Sequence, residues 1–179
     1  MAGASRRVLG FAAWSGTGKT TLLVKLLPEL RTRGLRVGMI KHAHHTFDVD
    51  RPGKDSYELR KAGANPVLLA SSRRWVLMTD LEQPREPVLQ EMLARFDAAA
   101  LDVILVEGLK HEDFPKIELH RPALGKGLLF PDDPSIIAVA TDAPLGQATR
   151  LPVLDLNDVE AIADFVLQYC RAAADAPRS

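Results

Sequence analysis

The stretch Ala13-Trp14-Ser15-Gly16-Thr17-Gly18-Lys19-Thr20 has the residue types and spacing of a loop that cradles phosphate. Glycines let backbone N–H groups converge on phosphate oxygens without interference from a Cβ. A helix starting behind the loop adds the positive end of its dipole. In such a loop Ser15, Gly16, Thr17 and Gly18 supply backbone donors and Lys19 reaches the β- and γ-phosphates. Thr20 presents its hydroxyl to Mg2+, and Thr21 lies beside the α-phosphate. Ala13 stands where the strict pattern has glycine, which is tolerable if that position keeps a negative φ. The chemistry expected here is binding of a nucleoside triphosphate with Mg2+.

Three further segments carry groups suited to the same chemistry. Glu107-Gly108 ends the most apolar strand of the chain, where an acidic residue joins a magnesium shell. Glu107 could hold the ion through a water or polarise an attacking water, which makes it, with Lys19, the catalytic candidate. It could equally cap the turn that follows. The run from Lys41 to Asp50 packs His42, His44, His45, Asp48 and Asp50 into ten residues. Three readings stay open: a transition-metal site, although the spacing matches no closed one; a solvated loop; or a switch loop sensing the γ-phosphate or a second ligand. For the last role Lys41, His42, Asp48, Asp50 and Asp55 are the candidates. Thr141-Asp142 follows another buried strand. A carboxylate there could accept two hydrogen bonds from guanine that adenine cannot donate, or could simply shape the turn before Pro144.

These residues need a scaffold. Arg7–Ala12 reads as a buried strand, and Leu22, Leu23, Leu26, Leu27 and Leu30 recur at helical spacing until Gly34 closes the helix. Pro28 should kink that helix or end it early. Arg36–Lys41 is a second strand. Asp55 with Glu58 makes a capping box opening a short helix that stops near Gly63. Residues 66–80 suggest a hairpin with Ser71-Ser72-Arg73-Arg74 at its tip, and 83–95 a helix. Residues 101–106 form a central strand with Asp102 as a solvated charge at its far end. Residues 116–120 alternate like a half-exposed strand, and 122–134 form a loop or hairpin arm. Strands at 136–140 and 151–156 precede a C-terminal helix with a capping box of Asn157 and Glu160 and Cys170 packed on its apolar stripe. This order predicts an α/β fold, three-layered, with a largely parallel central sheet and antiparallel hairpin additions. Ligands of such sheets sit at the carboxyl ends of the strands, so the loops after Ala12, Lys41, Val106 and Ala140 should share one site.

Composition sets bounds on the partners. The 179 residues have a formal net charge of zero, which gives no electrostatic case for nucleic-acid or anionic-membrane binding. No stretch approaches the roughly 20 apolar residues of a membrane helix. The single cysteine rules out an intrachain disulfide. The expectation is one domain over residues 1–179, cytoplasmic, without a signal peptide and with only its last few residues disordered.

The phosphate loop, Ile40-Lys41-His42 with His44-His45, Asp48-Val49-Asp50, and the run from Pro52 to Ala64 together resemble the molybdopterin-guanine dinucleotide biosynthesis adaptor (MobB) family. Leu105-Val106-Glu107-Gly108 with Lys110-His111, and Ala138–Asp142, continue the likeness, which spans about residues 8 to 170. The resemblance implies a P-loop NTPase fold that binds GTP, with weak intrinsic GTPase activity and a homodimeric state. It also implies assistance to the guanylyltransferase that joins GMP to molybdopterin, with molybdopterin itself a possible second ligand. A P-loop small-molecule kinase and a non-catalytic GTP-binding module are the competing readings. The former usually carries several lid arginines, whereas the adjacent pair here, Arg73-Arg74, falls on a hairpin tip more simply read as solvated.

Overall fold

The structure, a computed structural model, describes residues 7–43 and 47–175. The readings made on residues 1–6, on His44 and His45 and on the last four residues lie outside these. In chain order the elements are β1 (Val8–Ala12), α1 (Lys19–Thr32), β2 (Val37–Lys41), α2 (Asp55–Lys61), β3 (Val67–Ala70), β4 (Trp75–Met78), α3 (Leu89–Leu93), β5 (Val103–Glu107), β6 (Lys116–His120), β7 (Ile136–Thr141), β8 (Val153–Asp155) and α4 (Val159–Asp175). The chain divides into two compact units, Met1–His42 with Val88–Ser179, and Ala43–Pro87.

The larger unit is built on a six-stranded sheet in the order β2-β5-β1-β6-β7-β8, with every pairing parallel. Strands covered on both faces read as continuous apolar runs, and β1 and β5 do so. Leu9, Phe11, Val103 and Leu105 face a core shared with Leu22, Leu23, Leu26 and Leu30 of α1 and Ile162, Ala163, Val166 and Cys170 of α4. Val8, Ile40, Ile104 and Val106 face a second cluster with Leu89, Leu93, Leu109 and Phe114. Fully burying each such leucine contributes about 1.5–3 kcal/mol. Helices therefore cover both faces, giving the three layers expected. From β1 the chain passes to β2 on one side, and later to β6 on the other. The end of β1 is thus the point where strand order reverses, and a crevice opens there.

Several local expectations needed revision. Pro28 lies inside α1 without ending it. Both Pro28 and Val24, whose carbonyl loses a partner, are on the exposed face, where solvent reaches the freed group. Gly34 does close the helix, with its N–H on Arg31 O and the Leu35 N–H on Leu30 O. The helix read over 83–95 shrinks to α3, because Pro84 and Pro87 hold the chain extended before it. Asp158, one residue later than expected, caps α4 by accepting from Ala161 N–H at 2.9 Å. Asp102 does sit partly exposed at the far end of β5, but it is paired as well as solvated. Arg36 donates to it from its backbone N–H at 2.7 Å and its guanidinium at 2.9 and 3.0 Å, pulling its pKa down to about 2. Cys170 is buried, and that burial pushes its thiol pKa up, as a packed side chain requires.

The largest revision concerns β6. Its alternation is real, but its exposure is not: all five residues are buried between β1 and β7. Ile117 and Leu119 enter the α1/α4 core. On the alternating positions, Lys116 donates to Glu112 O at 2.6 Å and pairs with Asp133 at 3.1 Å. The Glu118 carboxylate accepts from Leu129 N–H at 2.7 Å and Phe130 N–H at 2.8 Å. The proline- and glycine-rich segment is thereby tied to the strand, and its 3₁₀ turn at Pro122–Leu124 is its one regular element.

In the smaller unit β3 and β4 pair antiparallel, with Ser71 Oγ accepting from the Arg73 and Arg74 N–H groups at the hairpin tip. The capping box at Asp55 does not form, since Lys54 occupies the cap position and Asp55 opens α2 as a first-turn acid. The stop near Gly63 holds, with Gly63 N–H on Arg60 O.

Candidate functional site

The loop between β1 and α1 turns through left-handed conformations at Gly16 (φ 83°) and Gly18 (φ 97°), which favour residues lacking a Cβ. Thr17 is buried and locks the turn, its hydroxyl donating to Trp14 O at 2.8 Å. Gly18 occupies the N-cap of α1 with no side-chain cap, and the first turn holds no acidic residue. The free N–H groups and the positive end of the helix are therefore left uncompensated, which suits an anion.

Lys19 folds back so that its ammonium donates to Ala13 O at 3.1 Å. Burial lowers its pKa most; Glu107 opposes that, and Lys110 and Lys41 add to it. The Glu107 carboxylate is the hub of the site. Its Oε1 accepts from the Thr20 hydroxyl at 2.9 Å and its Oε2 lies 3.6 Å from Lys41 Nζ. The Thr20 hydroxyl and the Glu107 carboxylate are hard oxygen donors side by side, and they fit a small divalent cation that keeps several waters.

The strand ends are drawn together by backbone contacts. His42 N–H donates to Glu107 O at 2.8 Å, joining the ends of β2 and β5. Gly108 follows at φ 99°, and a Cβ there would lie 2.7 Å from His42 Cβ. Leu109 is also left-handed, at φ 53°, and buried. This double left-handed turn brings Lys110 back over the phosphate loop, with its ammonium 4.7 Å from the Trp14 ring centroid.

Of the residues read from sequence, Ser15, Gly16, Thr17, Gly18, Lys19, Thr20, Thr21, Lys41, His42, Glu107 and Asp142 all lie at the carboxyl ends of the parallel strands or on the loops leaving them. Thr21 lines a cleft of about 110 Å³ with Gly18, Lys25, Arg121, Leu156 and Asn157. The stretch read as one histidine–aspartate loop divides at His42 between the two units. Asp48, Asp50 and Asp55 belong to the smaller one. There Asp48 pairs with Arg60 at 2.9 Å, while Asp50 is buried and accepts from Ser56 Oγ at 2.9 Å. Among the described residues no group of three His, Cys, Asp or Glu side chains could hold a metal ion.

Two residues of the site escaped sequence reasoning. Arg121 donates from Nε to Thr17 O at 2.8 Å and pairs with the Asp142 carboxylate, linking the phosphate loop to the end of β7. Reading Lys116–His120 as a central strand would have found it, because the residue after such a strand falls at the ligand end. Trp14 is the second. Its indole N–H donates to Gly127 O at 2.7 Å, joining the loop to the segment after β6.

A family model described as Molybdopterin guanine dinucleotide synthesis protein B matches residues 8–142. The molybdopterin-guanine dinucleotide biosynthesis adapter protein of Escherichia coli (strain K12) is 54% identical over 165 residues, covering 90% of this chain and 92% of that protein. The protein of the same name in Haemophilus influenzae is 46% identical over 159 residues, covering 89% and 86%. A crystal structure of molybdopterin-guanine biosynthesis protein B superposes with a TM-score of 0.69 at 25% identity, covering 92% of this chain and 99% of that one.

Proposed function

This chain belongs to the molybdopterin guanine dinucleotide synthesis protein B (MobB) family, and from that premise we propose that it is a GTP-binding adaptor in molybdopterin guanine dinucleotide biosynthesis. In this reading it assists the guanylyltransferase that attaches GMP to molybdopterin, works in the cytoplasm as a homodimer, and hydrolyses GTP slowly at most. The observation that carries the nucleotide part is the uncapped phosphate loop, with Thr20 Oγ1 held 2.9 Å from the Glu107 carboxylate.

Each residue then has a task. Backbone N–H groups from Ser15 to Gly18 and the start of α1 receive phosphate oxygens. Lys19, whose charge is disfavoured by burial, gains most from a phosphate partner and releases Ala13 O to reach it. Thr20 and Glu107 would hold Mg2+, which supplies charge neutralisation between the β- and γ-phosphates. Glu107 also remains close enough to orient a water toward the γ-phosphate. Asp142 reads the base: a carboxylate has about four lone-pair sites, so its pairing with Arg121 leaves capacity for guanine donors. Lys41 and His42 are proposed to respond to the γ-phosphate, and Asp48, Asp50 and Asp55 of the smaller unit are proposed as contacts for a second ligand.

Titration of GTP against ATP in the presence of Mg2+, with Asp142→Ala alongside, tests the reading. GTP should bind more tightly, and Asp142→Ala should remove that preference. Equal affinity of the wild type for both nucleotides would sink the guanine assignment. Single-turnover hydrolysis by wild type, Lys19→Ala and Glu107→Gln separates slow chemistry from simple binding. A phosphorylated acceptor in a metabolite mixture would instead indicate a kinase.

A further inference from the structure

We propose that Lys110 is a γ-phosphate contact that lets the site distinguish a nucleoside triphosphate from the diphosphate, and that the Trp14 ring is the alternative partner from which the phosphate draws it. The inference rests on the nucleotide reading above and assigns one more residue to that site.

The backbone is the first argument. Two consecutive left-handed residues, Gly108 and the non-glycine Leu109, are needed to turn the chain after β5. A leucine with φ 53° is sterically disfavoured, and such strain persists only where the surroundings impose it. Here the buried Leu109 side chain packs with Ile40, Val106 and Phe114 and fixes the turn. The product of that strain is the position of Lys110, folded back over the loop instead of trailing away from the sheet.

The ammonium's resting place is the second argument. Lys110 lies over the ring of Trp14, the second residue of the loop Ala13–Thr20, and Trp14 is itself fixed by its bond to Gly127 O. A cation held on an aromatic face is an exchangeable contact, weaker than a charge-assisted hydrogen bond to phosphate. A terminal phosphate arriving beside Lys19 would therefore draw Lys110 from the ring.

Charge is the third. Lys110 is close enough to Lys19 to disfavour the charge of that lysine. Lys41 does the same, so three ammonium groups converge, and among the described residues the carboxylate that acts on Lys19 against them is Glu107. Adding the γ-phosphate relieves that repulsion, whereas a diphosphate, one phosphate shorter, leaves more of it in place.

The test is a pair of titrations, Mg2+-GTP and Mg2+-GDP, on the full chain, using wild type, Lys110→Met and Lys110→Arg. Losing one charge-assisted contact should lower the GTP affinity of Lys110→Met by about ten- to hundredfold with GDP affinity unchanged. Lys110→Arg should keep most of the discrimination. Trp14 reports the same event: in a Trp75→Phe background, its fluorescence should change with GTP, not with GDP, and the change should vanish in Lys110→Met. If Lys110→Met keeps the wild-type GTP-to-GDP ratio within about twofold, or loses both nucleotides equally, the assignment is overturned. If the wild type binds neither nucleotide, it is the nucleotide reading itself that fails.

Discussion

Gly108→Ala is the substitution with the most structure behind it. Two independent terms act at this position. Placing an L-residue at φ 99° costs about 1–2 kcal/mol. The new methyl would also lie 2.7 Å from His42 Cβ, well inside van der Waals contact, and relieving such overpacking costs about 1–3 kcal/mol. A less flexible unfolded chain returns about 0.4–1 kcal/mol. The net expectation is a loss of about 2–4 kcal/mol. Two companion substitutions separate the terms. Gly16→Ala has the left-handed backbone (φ 83°) with no atom near its Cβ, so its loss should be about 1 kcal/mol or less. Gly10→Ala has an ordinary backbone, but its Cβ would meet Phe114 Cε2 at 2.6 Å and Lys116 Cγ at 2.7 Å, so it isolates overpacking at about 1–3 kcal/mol. Urea unfolding followed by circular dichroism gives all three. Should Gly108→Ala prove no costlier than Gly16→Ala, the close approach of the β5 end to His42 is wrong. The geometry built on that approach would fall with it.

Substitutions at three further positions can be checked together. Glu118→Ala strands the Leu129 and Phe130 N–H groups and should cost about 3–5 kcal/mol in urea unfolding. Glu118→Gln should cost less, about 1–3 kcal/mol, because its one carbonyl oxygen keeps one of the two bonds while its NH2 group is set against the other N–H donor. Burial, only partly opposed by those N–H groups, raises the Glu118 pKa and disfavours its charged form. By the same sign, wild type should lose ground against Glu118→Gln as pH rises above the ordinary glutamate value through that raised pKa. At Asp102 the direction is opposite: Arg36 holds its pKa at about 2, below 3.8, so its contribution is full above pH 4 and fades toward pH 2. Discounted for solvent screening at this partly exposed pair, that contribution is about 1 kcal/mol, and Asp102→Asn should flatten the acid limb of a stability-pH curve. Pro28→Ala restores a helix hydrogen bond on the exposed side of α1 and should raise stability by about 1–2 kcal/mol; an unchanged or lower Tm would contradict it.

What was legible in the sequence was local. The β1–loop–α1 unit declares itself through an apolar run, glycines at fixed spacing and leucines at helical period, all within about two dozen adjacent residues. Chemistry that depends on distant partners was not legible. Lys116 and Glu118 look like exposed positions of an alternating strand because the charge that pairs with Lys116, on Asp133, and the 129–130 backbone that satisfies Glu118 lie more than ten residues away. That misreading of β6 concealed Arg121 as well. Boundaries slipped where two residues able to cap stood side by side, as with Asn157 and Asp158, and where prolines interrupted an apolar pattern, as before α3. The histidine–aspartate run looked like one loop because nothing in its composition marks the division at His42.

The insertion of residues 43–87 between adjacent strands has a consequence for how this fold can vary. β2 and β5 are neighbours in the sheet, and the stretch from Val88 onward already supplies a crossover of the length a parallel pair requires. Loop-closure entropy grows only with the logarithm of length. Lengthening that connection about fourfold therefore costs the larger unit only about 1 kcal/mol. Chain connectivity thus imposes almost no constraint on what is spliced there. This is the connection that leaves β2 at the carboxyl end of the sheet, so a lineage could enlarge, trim or replace the insert while the loop Ala13–Thr20, Glu107 and Asp142, all in the larger unit, stayed in place.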